Sequence, residues 1–144
     1  MTRTYRTSSP EDTIELGKKL GEKLKGGDVI AFRGGLGAGK TTMTRGIAIG
    51  MGLRDEVSSP TFALVNEYLG ALKLCHFDMY RITGALDLES TGFYDYLSDD
   101  CVIAIEWSEN IADELPEGCI TIDFSDISGE TREITVIGDE RFDF

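Results

Sequence analysis

No apolar run in this chain approaches the roughly 18 residues that a membrane-spanning helix needs, so a bilayer span is excluded. The opening Met1-Thr-Arg-Thr-Tyr-Arg also lacks an apolar stretch, and no secretory leader is expected. Cysteine is scarce and odd in number. Cys75, Cys101 and Cys119 are widely spaced and each sits in an apolar run, which argues against a disulfide framework or a zinc site. Reduced core thiols in a cytosolic protein are the expectation. Positive charge is short as well, with a formal net charge of −12. Residues 109–144 hold two Arg against eleven Asp and Glu, too acidic a segment to grip a nucleic acid backbone. There is no internal repeat, no low-complexity tract and no linker.

What remains is ordinary in composition and sized for one domain spanning residues 1–144. Thr2 to Thr7 alternates like a short edge strand. Ser9-Pro10-Glu11-Asp12 is a helix start, with Ser9 as N-cap, Pro10 in the first turn and acids beside it. Ile14, Leu16, Leu20 and Leu24 continue an amphipathic helix that Gly26-Gly27 ends. Asp28 to Phe32 is a short apolar run typical of a buried strand, followed by a glycine-rich loop and a helix from about Gly39 to Met51. Thr61 to Tyr68 and Leu72 to Phe77 are expected to form a hairpin around Leu69-Gly70-Ala71. One helix is expected over Asp87 to Leu97, with Leu88, Phe93 and Leu97 inward. Cys101 to Ile105 is the most apolar run and reads as a central strand; a short helix follows near Asn110 to Glu114. Ile120 to Phe124 and Arg132 to Ile137 read as antiparallel strands around Ser128-Gly129. The pattern is an α/β domain with a mixed parallel and antiparallel sheet flanked by helices.

The chemistry concentrates at Gly34-Gly35-Leu36-Gly37-Ala38-Gly39-Lys40-Thr41, which satisfies the phosphate-loop pattern G-x-x-x-x-G-K-[ST]. Glycines let successive backbone N–H groups turn inward as an anion nest, and the following helix adds its free N–H groups and positive dipole end. Lys40 then reaches the terminal phosphates, and the Thr41 hydroxyl is placed to ligate magnesium. Lys40 is expected to be exposed in this loop. A phosphate loop also needs an acid from a second strand, and two follow apolar runs: Asp78 and Glu106. No N-K-x-D segment for guanine is present, which favours ATP over GTP.

Together the motifs resemble one family. Gly37-Ala-Gly-Lys-Thr-Thr42, Ser59-Pro-Thr-Phe62, His76-Phe-Asp-Met-Tyr-Arg81 and Ile105-Glu-Trp107 stand in the order and spacing of the bacterial tRNA threonylcarbamoyladenosine biosynthesis ATPase family TsaE (formerly YjeE). The resemblance runs from about Ser9 to Arg132. It implies a cytoplasmic P-loop ATPase that uses ATP and Mg2+ and works with a two-subunit partner, TsaB and TsaD. That partner modifies an adenosine beside the tRNA anticodon, so tRNA is met only through the complex. By the same resemblance Lys40, Asp78 and Glu106 are catalytic, and Thr41 and Glu106 hold the metal. Gly35, Leu36, Gly37, Ala38, Gly39, Lys40, Thr41 and Thr42 surround the phosphates. Thr61 belongs to a switch-like segment near the γ-phosphate. Gly35 departs from the family's usual Asp, removing a charge from the loop's outer edge; the Lys40 and Thr41 chemistry does not depend on it.

The other conspicuous residues carry more than one reading. His76, the sole histidine, reads as a packed, hydrogen-bonded residue rather than a base. Trp107 lies near the nucleotide or serves packing. Ser9, Pro10 and Arg132 are candidates to flank the adenine. A small-molecule or nucleoside kinase shares the loop and the metal acid, but the segment after Trp107 holds only Arg132 and Arg141, too few for a phosphate-closing lid. A nucleotide-sensing module that scarcely hydrolyses is a second alternative, which Asp78 and Glu106 count against.

Overall fold

The computed structural model describes residues 1–34, 38–53, 65–82, 85–97 and 100–144. They build one seven-stranded sheet in the order β1-β7-β6-β2-β5-β4-β3. The strands are β1 Thr2–Thr7, β2 Val29–Gly34, β3 Val65–Tyr68, β4 Lys73–Asp78, β5 Cys101–Glu106, β6 Ile120–Ser128 and β7 Thr131–Ile137. β2 runs parallel to both β5 and β6, and β4 runs parallel to β5. Both margins are antiparallel, through β3 on β4 at one side and β6-β7-β1 at the other. The sheet is therefore mixed, with its parallel part in the middle.

Alternation along the strands divides the core in two, because successive side chains point to opposite faces. Ile30, Phe32, Leu74, Val102 and Ala104 pack with Leu16 and Leu20 of α1 (Pro10–Lys23) and with Met43 and Ile47 of α2 (Ala38–Gly50). Val29, Cys75, Phe77, Ile103 and Ile105 pack on the other face with Leu88, Phe93 and Ile111. Every residue of β5 is buried, as its unbroken apolar run predicts for a strand covered on both faces. Cys75 and Cys101 are buried free thiols. Burial pushes the Cys75 thiol up to about 12 and the Cys119 thiol up to about 11, so both stay protonated at neutral pH.

Ser9 caps α1 as read, its hydroxyl accepting from the Asp12 N–H at 3.2 Å, with Pro10 in the first turn. The helix stops at Lys23, and Leu24 is already extended. The single helix expected over 87–97 is instead two pieces, α3 (Ala85–Ser90) and a 3₁₀ turn over Phe93–Tyr96. Gly92 between them takes the left-handed conformation at φ 79°, which ends a helix. Leu88 and Phe93 are buried, whereas Leu97 faces out, because the break rotates the chain beyond it. The expected helix near Asn110 is a 3₁₀ segment over Ser108–Glu114, interrupted at Ile111.

The closest helix packing rests on glycine. Gly17 and Gly21 of α1 face Gly46 and Gly50 of α2, and a Cβ on Gly46 would lie 2.3 Å from the Ile14 carbonyl oxygen. A Cβ on Gly21 would lie 2.3 Å from the Ile47 carbonyl oxygen. The obstacles are backbone atoms, which cannot step aside as a side chain would. Alanine gains about 1 kcal/mol over glycine in helix propensity, but overpacking costs about 1–3 kcal/mol or more. Gly46→Ala is therefore expected to destabilise by a net ~2 kcal/mol, read as a lower urea midpoint at unchanged slope. An unchanged midpoint would show that the helices separate freely.

Candidate functional site

Three parallel strands, β2, β5 and β4, end on the same edge of the sheet, where open α/β sheets bind their ligands. β2 ends at Gly34, with φ 113°, and α2 starts at Ala38. Gly35, Leu36 and Gly37 lie outside the described residues, as does Ser59-Pro-Thr-Phe62 with Thr61. Gly39 lies against the Phe124 ring, 2.7 Å from where its Cβ would stand. The first turn of α2 thus presents Gly39, Lys40, Thr41 and Thr42 at the mouth of the edge.

Lys40 is not exposed as expected; only 2% of its surface is accessible. Its ammonium donates to the Gly34 carbonyl at 2.8 Å and lies 5.1 Å from the centroid of the Trp107 ring. Burying an ammonium is costly unless other groups replace water, and here a carbonyl and an aromatic face lie against it. The hydrogen bond ties the first turn of α2 to the end of β2.

The acids meet this turn from the neighbouring strands. Glu106, at the end of β5, is 8% exposed, and its Oε1 accepts from the Thr41 hydroxyl at 3.3 Å. Asp78 is its register partner at the end of β4. Asp78 Oδ1 accepts from the Tyr80 N–H at 3.0 Å, which shapes the turn after the strand. His76 is fully buried, with Nε2 3.1 Å from Glu106 Oε2. That approach is off the N–H direction: neither ring nitrogen makes a hydrogen bond among the described residues, against the hydrogen-bonded reading from sequence.

Trp107 follows Glu106 in the left-handed conformation, φ 60° and ψ 38°, the sole positive-φ non-glycine among the described residues. Such a conformation costs on the order of 1–2 kcal/mol and persists only when neighbours impose it. They do. Ser108 Oγ donates to the Phe32 carbonyl at 2.7 Å, and Asn110 Nδ2 donates to the Met79 carbonyl at 2.7 Å. The Tyr80 ring packs edge-on against Trp107 at 4.9 Å between centroids. The kink turns the indole back over Lys40. Sequence patterns carry no sign of it, since tryptophan has no preference for that conformation.

Beside α2 a pocket of about 140 Å³ is lined by Pro10, Thr13, Gly39, Thr42, Glu130 and Arg132. It brings Pro10 and Arg132 together next to the helix that follows the glycine-rich segment. Ser9 is spent on capping α1. Sequence patterns do not single out Glu130 and Thr13, because nothing local marks an acid beside the β6–β7 turn as neighbour to helices far away in the chain.

A central parallel strand, a glycine-rich sequence after it, a helix whose first turn carries Lys and Thr, and an acid closing the next parallel strand define the phosphate-loop class of α/β folds. Comparison with known proteins narrows the class. The chain belongs to the family described as "Threonylcarbamoyl adenosine biosynthesis protein TsaE", which it matches over residues 7–134. It is 40% identical over 128 residues to the tRNA threonylcarbamoyladenosine biosynthesis protein TsaE of Treponema pallidum, covering 89% of this chain and 95% of that one. It is 39% identical over 132 residues to the protein of the same name from Bacillus subtilis, covering 91% and 82%. The crystal structure of Bacillus subtilis YdiB superposes with a TM-score of 0.74 at 34% identity, over 99% of this chain and 90% of that one.

Proposed function

We propose that this protein binds ATP with magnesium and hydrolyses it, serving the machinery that makes threonylcarbamoyladenosine in tRNA. The observation that carries the reading is the contact of Thr41 with Glu106 at 3.3 Å, next in the chain to Lys40, whose ammonium reaches the Gly34 carbonyl at the end of β2. A hydroxyl and a carboxylate at that separation suit magnesium, which takes hard oxygen ligands and is held by one or two protein groups plus phosphates and waters. Bound there, the ion would neutralise phosphate charge and order the reacting oxygens.

The chain's own residues divide the remaining work. Lys40 leaves the Gly34 carbonyl for the β- and γ-phosphates, while the loop and α2 N–H groups hold phosphate oxygens. Glu106 holds its charge toward the metal and orients the attacking water; Asp78, next to it, is a second acid at the same edge. Pro10 and Arg132 flank the base, with Thr42 between base and phosphates. Trp107 covers Lys40 and senses the nucleotide. We place the work in the cytoplasm, where tRNA is modified and buried thiols stay reduced.

Beyond Lys40, we assign no arginine among the described residues to the transition state. Arg33, Arg45 and Arg81 are all exposed. An arginine supplied in trans is worth about 10³–10⁵ in rate, so TsaB and TsaD are expected to accelerate a slow ATPase. The test is phosphate release from the lone protein and from a mixture with the two partners at equal concentration. Expected are ADP and inorganic phosphate without any acceptor, and a rate at least ~10-fold higher in the mixture. Equal rates would remove the partner role; phosphate appearing on an added acceptor would make the protein a kinase.

A further inference from the structure

His76 is the buried polar group that the chemistry above leaves unused. It stands two residues before Asp78 on β4, so both share the sheet face of Leu74, the face that carries α1 and α2. Its ring has no exposure, and both nitrogens lack hydrogen bonds among the described residues. Leaving a buried polar group unsatisfied costs about 1–3 kcal/mol, a cost that a leucine in the same space would avoid. Packing does not explain a histidine there. What the imidazole touches is one oxygen of Glu106, at 3.1 Å, while Thr41 engages the other at 3.3 Å.

We propose that His76 is a positioning residue for Glu106. A carboxylate only accepts, so the useful tautomer carries its proton on Nε2. The last torsion of a glutamate is broad and soft, and a modest rotation brings Oε2 into line with that N–H. Oε2 is then occupied from inside the sheet, and Oε1 stays beside Thr41, where magnesium is proposed to bind. The imidazole acts through the carboxylate and touches neither nucleotide nor metal. The role rests on the ATPase reading, and supporting contacts of this kind change metal affinity or activity by about 10–100-fold.

The test compares His76→Leu, which keeps bulk without a donor, with His76→Gln, which keeps a donor. Each is first checked for native circular dichroism and urea midpoint. Mn2+ affinity is then measured by electron paramagnetic resonance in the presence of a non-hydrolysable ATP analogue, beside kcat and KM. The leucine variant is expected to lose about 10–100-fold in Mn2+ affinity and kcat with KM for ATP nearly unchanged, and the glutamine variant to recover most of that loss. A folded leucine variant with wild-type Mn2+ affinity overturns the proposal. So does equal impairment of the two variants, which would mark packing alone. Because the chain has one histidine, its ring 15N resonances are unambiguous, and they need neither variant of His76 to fold. Glu106→Gln should shift the Nε2 resonance in the nucleotide-free protein; an unmoved resonance also overturns the role. Failure of wild-type protein to bind Mn2+ with the analogue would sink the ATPase reading, and the resonance alone would then decide the contact.

Discussion

Glu106→Gln is expected to cut phosphate release by about 10²-fold or more while ATP binding falls far less. The substitution keeps the shape of a side chain that is 8% exposed and removes only its negative charge. The amide oxygen can still accept from Thr41, so the local structure should persist. What would be lost, in the proposed ATPase, is the charge toward the metal and the acceptor that orients water. A buried carboxylate is costly to desolvate, and its neutral replacement should leave stability unchanged or raised. Lower turnover with undiminished stability separates chemistry from folding, a distinction an alanine at this position would blur. Wild-type turnover in the glutamine variant would transfer the role to Asp78, its register partner one strand away.

Loss of Lys40 is expected to lower ATP affinity or turnover by a similar or larger factor, and its burial changes how the experiment must be done. Lys40→Ala removes a charge and also empties space under Trp107, where the ammonium lies 5.1 Å from the ring centroid. Lys40→Met fills that space with a neutral chain of similar length. Both variants lose the donor to Gly34. If the lysine acts on phosphate charge, the two should fail alike, by about 10²-fold or more in kcat/KM. If it acts chiefly by closing the loop and supporting the indole, methionine should rescue much of the alanine defect. Steady-state phosphate release, with calorimetric binding of ATP, reads both outcomes.

The parts of this fold that were legible in the sequence are those with local causes. β2 and α2 flank a glycine-rich segment of sequence, and β5 is apolar from Cys101 to Ile105 because both its faces are covered. Asp78 and Glu106 stood out because each closes an apolar run; that they are register partners follows from β4 and β5 being parallel neighbours, which no local pattern records. The same holds for β6, whose pairing with β2 on one side and β7 on the other joins distant segments. Gly17, Gly21, Gly46 and Gly50 read singly as poor helix formers, and only the crossing of α1 on α2 shows that side chains there would strike backbone. The fate of Lys40 was misread for a related reason. A lysine is usually solvated, but the strained turn at Trp107 lays an aromatic face over this one. His76 and Glu106 lie thirty residues apart, yet the spacing of His76 from Asp78 already puts both on one sheet face.

The most direct test of nucleotide binding at this loop is a calorimetric titration of ATP with Mg2+ into the wild-type protein and Lys40→Met. The wild type should bind one ATP per chain, and the heat should largely vanish in the variant. Saturable binding of equal strength in both, or no binding by the wild type, would contradict the assignment of this loop to ATP.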